Sequence, residues 1–198
     1  MAIRIFGDSI SGNCHKVKFV CDLLGIPYQW TEVDILKDAS RTAAFLAINP
    51  AGQVPVIVLD DGRAIAQSNA IILYLAEGSN LIPTGAFERA KMMEWLFWEQ
   101  YSHEPYIAVA RFQVLYQHKP PADLEPRLVE RGHAALARLE SAVREQSFLL
   151  GDKFTLADIS LVAYTRMAHQ GGFDLNTYPA VRAWISRVQS ALSLDAIQ

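Results

Sequence analysis

Strand signals are confined to the first 78 residues of this chain and then stop, which divides it into an α/β half and an all-helical half. "IRIF" at 3–6 is a short apolar strand, and from Asn13 to Leu24 the residues Val17, Phe19, Val20, Leu23 and Leu24 recur at helical spacing. Gly25 stands where that helix needs a left-handed residue to end. "YQWTEVDI" at 28–35 is rich in aromatic and β-branched residues and is a second strand, parallel to the first across the helical connection. A short helix follows at 40–47. "PVIVL" and "AIA" then flank an Asp-Asp-Gly turn, a hairpin signal, and Ser68 N-caps a helix that runs to Gly78. The order over 1–78 is therefore βαβ followed by ββα.

Residues 79–86, with Pro83 and Gly85, have the composition of a linker. Beyond them, from 87 to 198, helical patterns cover 87–117, 123–145, 155–169 and 179–190. Pro105 falls inside the first of these. It removes a backbone bond there and crowds the preceding turn, so a kink is expected near Glu104. "TLAD" at 155–158 has the spacing of a capping box, with Thr155 and Asp158 as its members and stability as its role.

Apolar residues at 51% and charged residues at 20% belong to an ordered chain with a sizeable core. The formal charge of -3, without a basic cluster, argues against nucleic acid as a partner. No stretch has the length and apolarity to span a bilayer, and "MAIRIFGDSI" lacks the pattern of a cleaved leader, so a cytoplasmic location is expected and no membrane partner. Cys14 and Cys21 sit two turns apart on one helix, about 10 Å along its axis, too far for a disulfide. The five histidines show no ligand-pair spacing, and no metal is expected.

The polar residues between the first strand and the first helix, "SGNCHKV" from Ser11, are the first place to look for chemistry. Together with "NPAGQVPV" and its Val54-Pro55 step, "QS" at 67–68 ahead of a helix, and "GDKFTLADISL" in the helical half, they make the whole chain resemble the cytosolic glutathione transferase superfamily, in its bacterial, serine-type, theta- or delta-like form. The resemblance implies a thioredoxin-like N-terminal domain, an all-helical C-terminal domain, glutathione as co-substrate, a small electrophile as second substrate, a detoxifying role and a homodimer. It also implies a cis Val54-Pro55 peptide that offers the Val54 backbone to the cysteinyl part of glutathione.

On the same resemblance, Ser11 is the hydroxyl donor to the glutathione sulfur and Asn13 the alternative donor. Cys14 fits the register of cysteine-type members less well, and Ser9 satisfies local backbone groups. Ser68 and the helix it opens suit the γ-glutamyl carboxylate, with Gln67 facing the ammonium; many relatives carry Glu before this serine, so the opposite charge is missing here. Lys37 is a candidate for the glycyl carboxylate and Gln53 for main-chain-like contacts. Tyr101, His103, Tyr106, Arg111 and Phe112 are candidates to line the electrophile pocket, expected between the domains, whereas Trp95 and Trp98 are core or dimer contacts.

A serine hydroxyl suffices for this chemistry. A thiol with a pKa near 8.5 is only about 3% ionised at pH 7. A hydrogen bond to the thiolate of roughly 1.5–3 kcal/mol lowers that pKa by about one to two units. Serine is then a donor and not a nucleophile, so no histidine base is needed. Glutathione-dependent disulfide or peroxide reduction, an isomerase activity and a non-catalytic scaffold remain as alternatives, because a fold does not establish an activity.

Overall fold

The computed structural model describes residues 3–194; the outer ends of the two expected domains, 1–2 and 195–198, lie outside the described residues. Contacts divide the chain into two compact units, one closing at Ser79 and one opening at Asn80.

The first unit runs β1 (Ile3–Gly7), α1 (Gly12–Leu24), β2 (Tyr28–Glu32), α2 (Ala43–Ile48), β3 (Val56–Val58), β4 (Ala64–Ala66) and α3 (Ser68–Leu75). Its sheet has the order β2-β1-β3-β4, with β1 parallel to β2 and the other pairings antiparallel. This is the thioredoxin-like βαβ–ββα arrangement expected above. Register explains which face each residue serves. Phe6 stands opposite Val56, and both pack with Phe45 of α2; Ile5 stands opposite Ile57, and both are fully buried on the other face. There α1 and α3 pack together, with Val17, Val20, Ile71 and Ile72 excluded from solvent.

Two glycines are required by geometry. Gly25 ends α1 at φ 63, as expected. Gly7 ends β1 where a Cβ would stand 2.7 Å from the Trp30 ring and 3.2 Å from Cys14 Sγ. Only a glycine lets those two side chains close over the strand end.

The second unit consists of α4 (Ala86–Trp98), α5 (Glu104–Leu115), α6 (Pro126–Ala142), α7 (Leu156–Thr165) and α8 (Pro179–Ala191), around a core that includes Ile107, Leu128, Leu136, Met167 and Phe173. The stretch 79–86 departs from a simple linker. Leu81 and Ile82 are buried, and the Leu81 carbonyl accepts the Leu156 N–H at 3.2 Å.

The expected kink at Pro105 takes a definite form. Residues Glu99–His103 make a π-helical turn, and α5 restarts with Pro105 in its first turn, where no N–H is needed. The turn swings Glu99 and His103 inward. Both are fully buried against α7, where Ser160 Oγ donates to Glu99 Oε2 at 3.3 Å and His103 Nε2 lies 2.9 Å from Thr165 Oγ1.

Candidate active site

The C-terminal end of β1, the start of β3 and the end of β4 meet at one edge of the sheet. The Val56↔Ala66 pairing sets Val54-Pro55 beside Gln67-Ser68, and the Phe6↔Val56 pairing brings the loop into α1 to the same edge.

Ser11 is the N-cap of α1 (φ -78, ψ 125), and its side chain makes no capping bond. Its backbone is held at both ends, N–H to the Asp8 carbonyl at 3.1 Å and C=O from the His15 N–H at 3.0 Å. The hydroxyl is half-buried and touches the Cys14 thiol. Cys14 itself is fully buried, and its sulfur accepts the Asp8 N–H at 3.3 Å. Burial pushes the Cys14 thiol up to about 12, so at neutral pH it is not a nucleophile. Cys21, also buried, is raised likewise to about 12. Ser9 is exposed and engaged locally: its N–H donates to Glu32 Oε1 at 2.8 Å, its side chain bonds the same carboxylate, and its C=O lies 2.9 Å from His15 Nε2.

Asn13 and Ser68 come together directly, Ser68 Oγ donating to Asn13 Oδ1 at 3.0 Å. This contact links the N-terminus of α1 to that of α3 across the sheet edge. Ser68 is buried, and Gln67 before it is exposed at φ 70 and ψ 111. A left-handed conformation in a residue with a side chain stores roughly 1–3 kcal/mol and is concentrated at functional sites. The Val54-Pro55 peptide is cis.

The turn before it is built by Asn49, which sequence reasoning passed over. Its Nδ2 donates to the Gln53 carbonyl at 2.8 Å and its Oδ1 accepts the Ala51 N–H at 3.2 Å, while Gly52 supplies φ 63. Gln53 is exposed with its carbonyl occupied in this way.

Lys16 was also missed. It is fully buried, and its Nζ lies 3.5 Å from Ser68 Oγ. The available signal was spacing: Asn13 and Lys16 at i, i+3 share a helix face. Lys37, in contrast, is not drawn into this group. It is exposed in a surface turn and pairs with Asp34 at 2.9 Å, an ion pair that holds the Asp34 carboxyl below its usual range.

In the helical unit the candidates separate. Tyr101 is exposed, Tyr106 is half-buried against the core, and Phe112 stacks on Tyr116 at 4.9 Å. His103 is fully enclosed, and Arg111 is buried with Nε donating to Gln170 Oε1 at 2.7 Å. Both make contacts within the helical unit. Trp95 and Trp98 meet edge to face at 5.2 Å beneath the Arg138 guanidinium.

Among the described residues no three metal-ligating side chains gather, and no helix is long and apolar enough to cross a membrane. In the helical unit a surface cavity of about 520 Å³ is lined by Ser141, Ala142, Arg144, Glu145 and Gln146.

Comparison with known proteins agrees with the geometry. Residues 10–77 match the glutathione S-transferase N-terminal domain and residues 108–187 the C-terminal domain. The chain is 30% identical to glutathione S-transferase 3 of Zea mays over 194 residues, 92% of this chain and 86% of that one. It is 29% identical over 189 residues to the disulfide-bond oxidoreductase YfcG of Escherichia coli, covering 90% of this chain and 86% of the relative. A crystal structure of a glutathione S-transferase from Pseudomonas fluorescens is 47% identical and superposes with a TM-score of 0.92, covering 95% of this chain and 94% of that one. With a thioredoxin-like unit, an all-helical unit and both domain matches in place, the chain belongs to the glutathione S-transferase family.

Proposed function

We propose that this glutathione transferase binds glutathione along the edge formed by α1, the cis-proline turn and α3, and that Ser11 donates a hydrogen bond to its sulfur. The observation that carries the reading is the Ser11 hydroxyl: it stands at a helix N-terminus, is half-buried and makes no capping bond. A donor so placed, with the positive end of the helix behind it, favours thiolate over thiol.

The rest of the tripeptide follows from the same edge. The Val54 backbone pairs with the cysteinyl unit, and Ser68 with the first N–H groups of α3 takes the γ-glutamyl carboxylate. Gln67 accepts from the ammonium, and Gln53 borders the peptide. Lys37 reaches a glycyl carboxylate only by leaving Asp34. The bound thiolate then attacks an electrophilic carbon and the leaving group departs with its electron pair. Tyr101, Tyr106 and Phe112 are the aromatic surfaces left to meet the electrophile. A homodimer, a cytoplasmic setting and a detoxifying role complete the reading.

The test is calorimetric titration with glutathione beside a conjugation assay with a chromogenic aryl halide. Micromolar to millimolar binding with turnover supports the reading; binding without turnover on any electrophile supports a scaffold, and absence of binding removes it.

A second reading, glutathione-dependent disulfide reduction, is favoured by the likeness to the Escherichia coli disulfide-bond oxidoreductase. Asn13 Oδ1 is taken by Ser68, which turns the amide N–H₂ away from Ser68. If that group is the principal donor to sulfur, Asn13→Ala abolishes disulfide reduction while Ser11→Ala spares it.

A further inference from the structure

Lys16 has no part in the proposed chemistry, yet it is a fully buried lysine on the inner face of α1, in contact with Ser68. Burying an ammonium is unfavourable unless something compensates it. Its place is specific. Nζ lies 3.5 Å from Ser68 Oγ, and Ser68 opens α3 directly after Gln67.

Hydrogen-bond directions follow from the chemistry of the groups. An ammonium only donates, so Ser68 Oγ accepts from Lys16 and its single proton goes to Asn13 Oδ1 at 3.0 Å. Positive charge thus stands behind the one hydroxyl at the start of α3, where the helix already presents N–H groups to an anion. The residue that flanks Ser68 on the open side, Gln67, is neutral. The two ends of an amino acid group arriving here are therefore treated unequally: a carboxylate meets a charge, and an ammonium meets an amide.

We propose that Lys16 is a positioning residue that makes this site select its thiol substrate by the γ-glutamyl carboxylate, with the ammonium contributing little. The proposal rests on the glutathione reading above and names the substrate class more narrowly: thiol peptides whose acyl cap ends in a carboxylate, whether or not it carries an amino group. Lys16 acts through Ser68, fixing its oxygen and raising the potential that the carboxylate feels. An arriving carboxylate competes with Asn13 Oδ1 for the Ser68 proton, and the charge behind the hydroxyl favours that exchange.

The experiment measures calorimetric affinity of wild type, Lys16→Met and Lys16→Arg for three ligands: glutathione, glutaryl-cysteinylglycine (no amino group) and 4-aminobutyryl-cysteinylglycine (no α-carboxylate). Wild type is expected to lose roughly tenfold or more on removal of the carboxylate and less than about threefold on removal of the amino group. Lys16→Met is expected to weaken the two carboxylate-bearing ligands about tenfold while leaving the third nearly unchanged, and Lys16→Arg to keep the wild-type order. A wild-type preference for the amino group overturns the proposal. So does an equal loss on all three ligands in Lys16→Met, or no loss on any. Binding of none of the three by wild type removes the glutathione reading, and the proposal with it. Should Lys16→Met fail to fold, as circular dichroism reports, the wild-type order and its retention in Lys16→Arg decide the matter.

Discussion

Ser11 and Thr155 are both hydroxyl residues at helix N-caps, one in each unit, and the structure uses them in opposite ways. Thr155 belongs to a closed capping box. Asp158, fully buried, accepts from Thr155 N at 3.0 Å, Thr155 Oγ1 at 3.3 Å, Leu149 N at 2.9 Å and Trp184 Nε1 at 2.9 Å. At Ser11 the cap is left open: the side chain makes no capping bond to the backbone N–H groups of the first turn, and its hydroxyl meets the Cys14 thiol instead. The start of α3 is open in the same sense, since Gln67 makes no capping bond and sits at φ 70. A closed cap spends its polar groups on stability. An open one keeps them for an incoming ligand at the expense of stability, so the two classes should respond differently to mutation.

The largest expected effect tests the closed cap. Asp158→Ala leaves the Trp184 and Leu149 donors buried without an acceptor and should destabilise the protein by about 3–5 kcal/mol. Urea unfolding measures it, and the thiol pKa of glutathione bound to the remaining folded protein should not move. A loss below about 1 kcal/mol would erase the contrast.

Next comes the open cap. Ser11→Ala should lower conjugation kcat/KM by about 10- to 100-fold, while stability changes by less than about 1 kcal/mol. If unfolding shifts more than turnover does, Ser11 is an ordinary cap.

Gln67→Gly sharpens the contrast from the other side. Glycine adopts φ 70 without penalty, so folding stability should rise by about 0.5–1 kcal/mol while glutathione affinity falls. A destabilised variant would show that the Gln67 side chain serves the fold.

A separate effect, confined to high pH, concerns the two buried thiols of α1. Cys14 and Cys21 are held at about 12 when folded, above the ordinary 9.0, so the native state keeps protons that the unfolded chain releases between those values. The stability linked to them is complete below pH 9 and lost as pH rises toward 12. Urea midpoints should fall across that window, and less steeply in Cys14→Ala. A flat profile would mean that water reaches these thiols.

How much of this was legible in the sequence follows from how local each signal is. Strand and helix order in the first unit came from periodicity over short windows, and the capping box from a four-residue spacing. Gly25 was equally local, as was a helix start at 67–68, although the N-cap is Gln67 and not Ser68, and the helix ends at Leu75. Beyond the reach of periodicity was the π-helical turn at Glu99–His103: a proline inside a helical pattern announces a break but not its form, and the form buried His103. The Arg111 bond was out of reach for a related reason, since its partner Gln170 lies far along the chain. Lys16 was overlooked because a lysine beside an apolar stripe looks solvated until α3 is folded over it. Asn49 was hidden by its own motif, where attention falls on the proline and not on the side chain that ties the turn.

The measurement that bears most directly on the central claim is an ultraviolet pH titration of the glutathione thiolate bound to wild type and to Ser11→Ala. With Ser11 as donor, the bound thiol should titrate about one to two units below the free value in wild type and return toward it in the variant. An equally low pKa in both proteins would contradict the assignment and move the donor to Asn13 or to the helix itself.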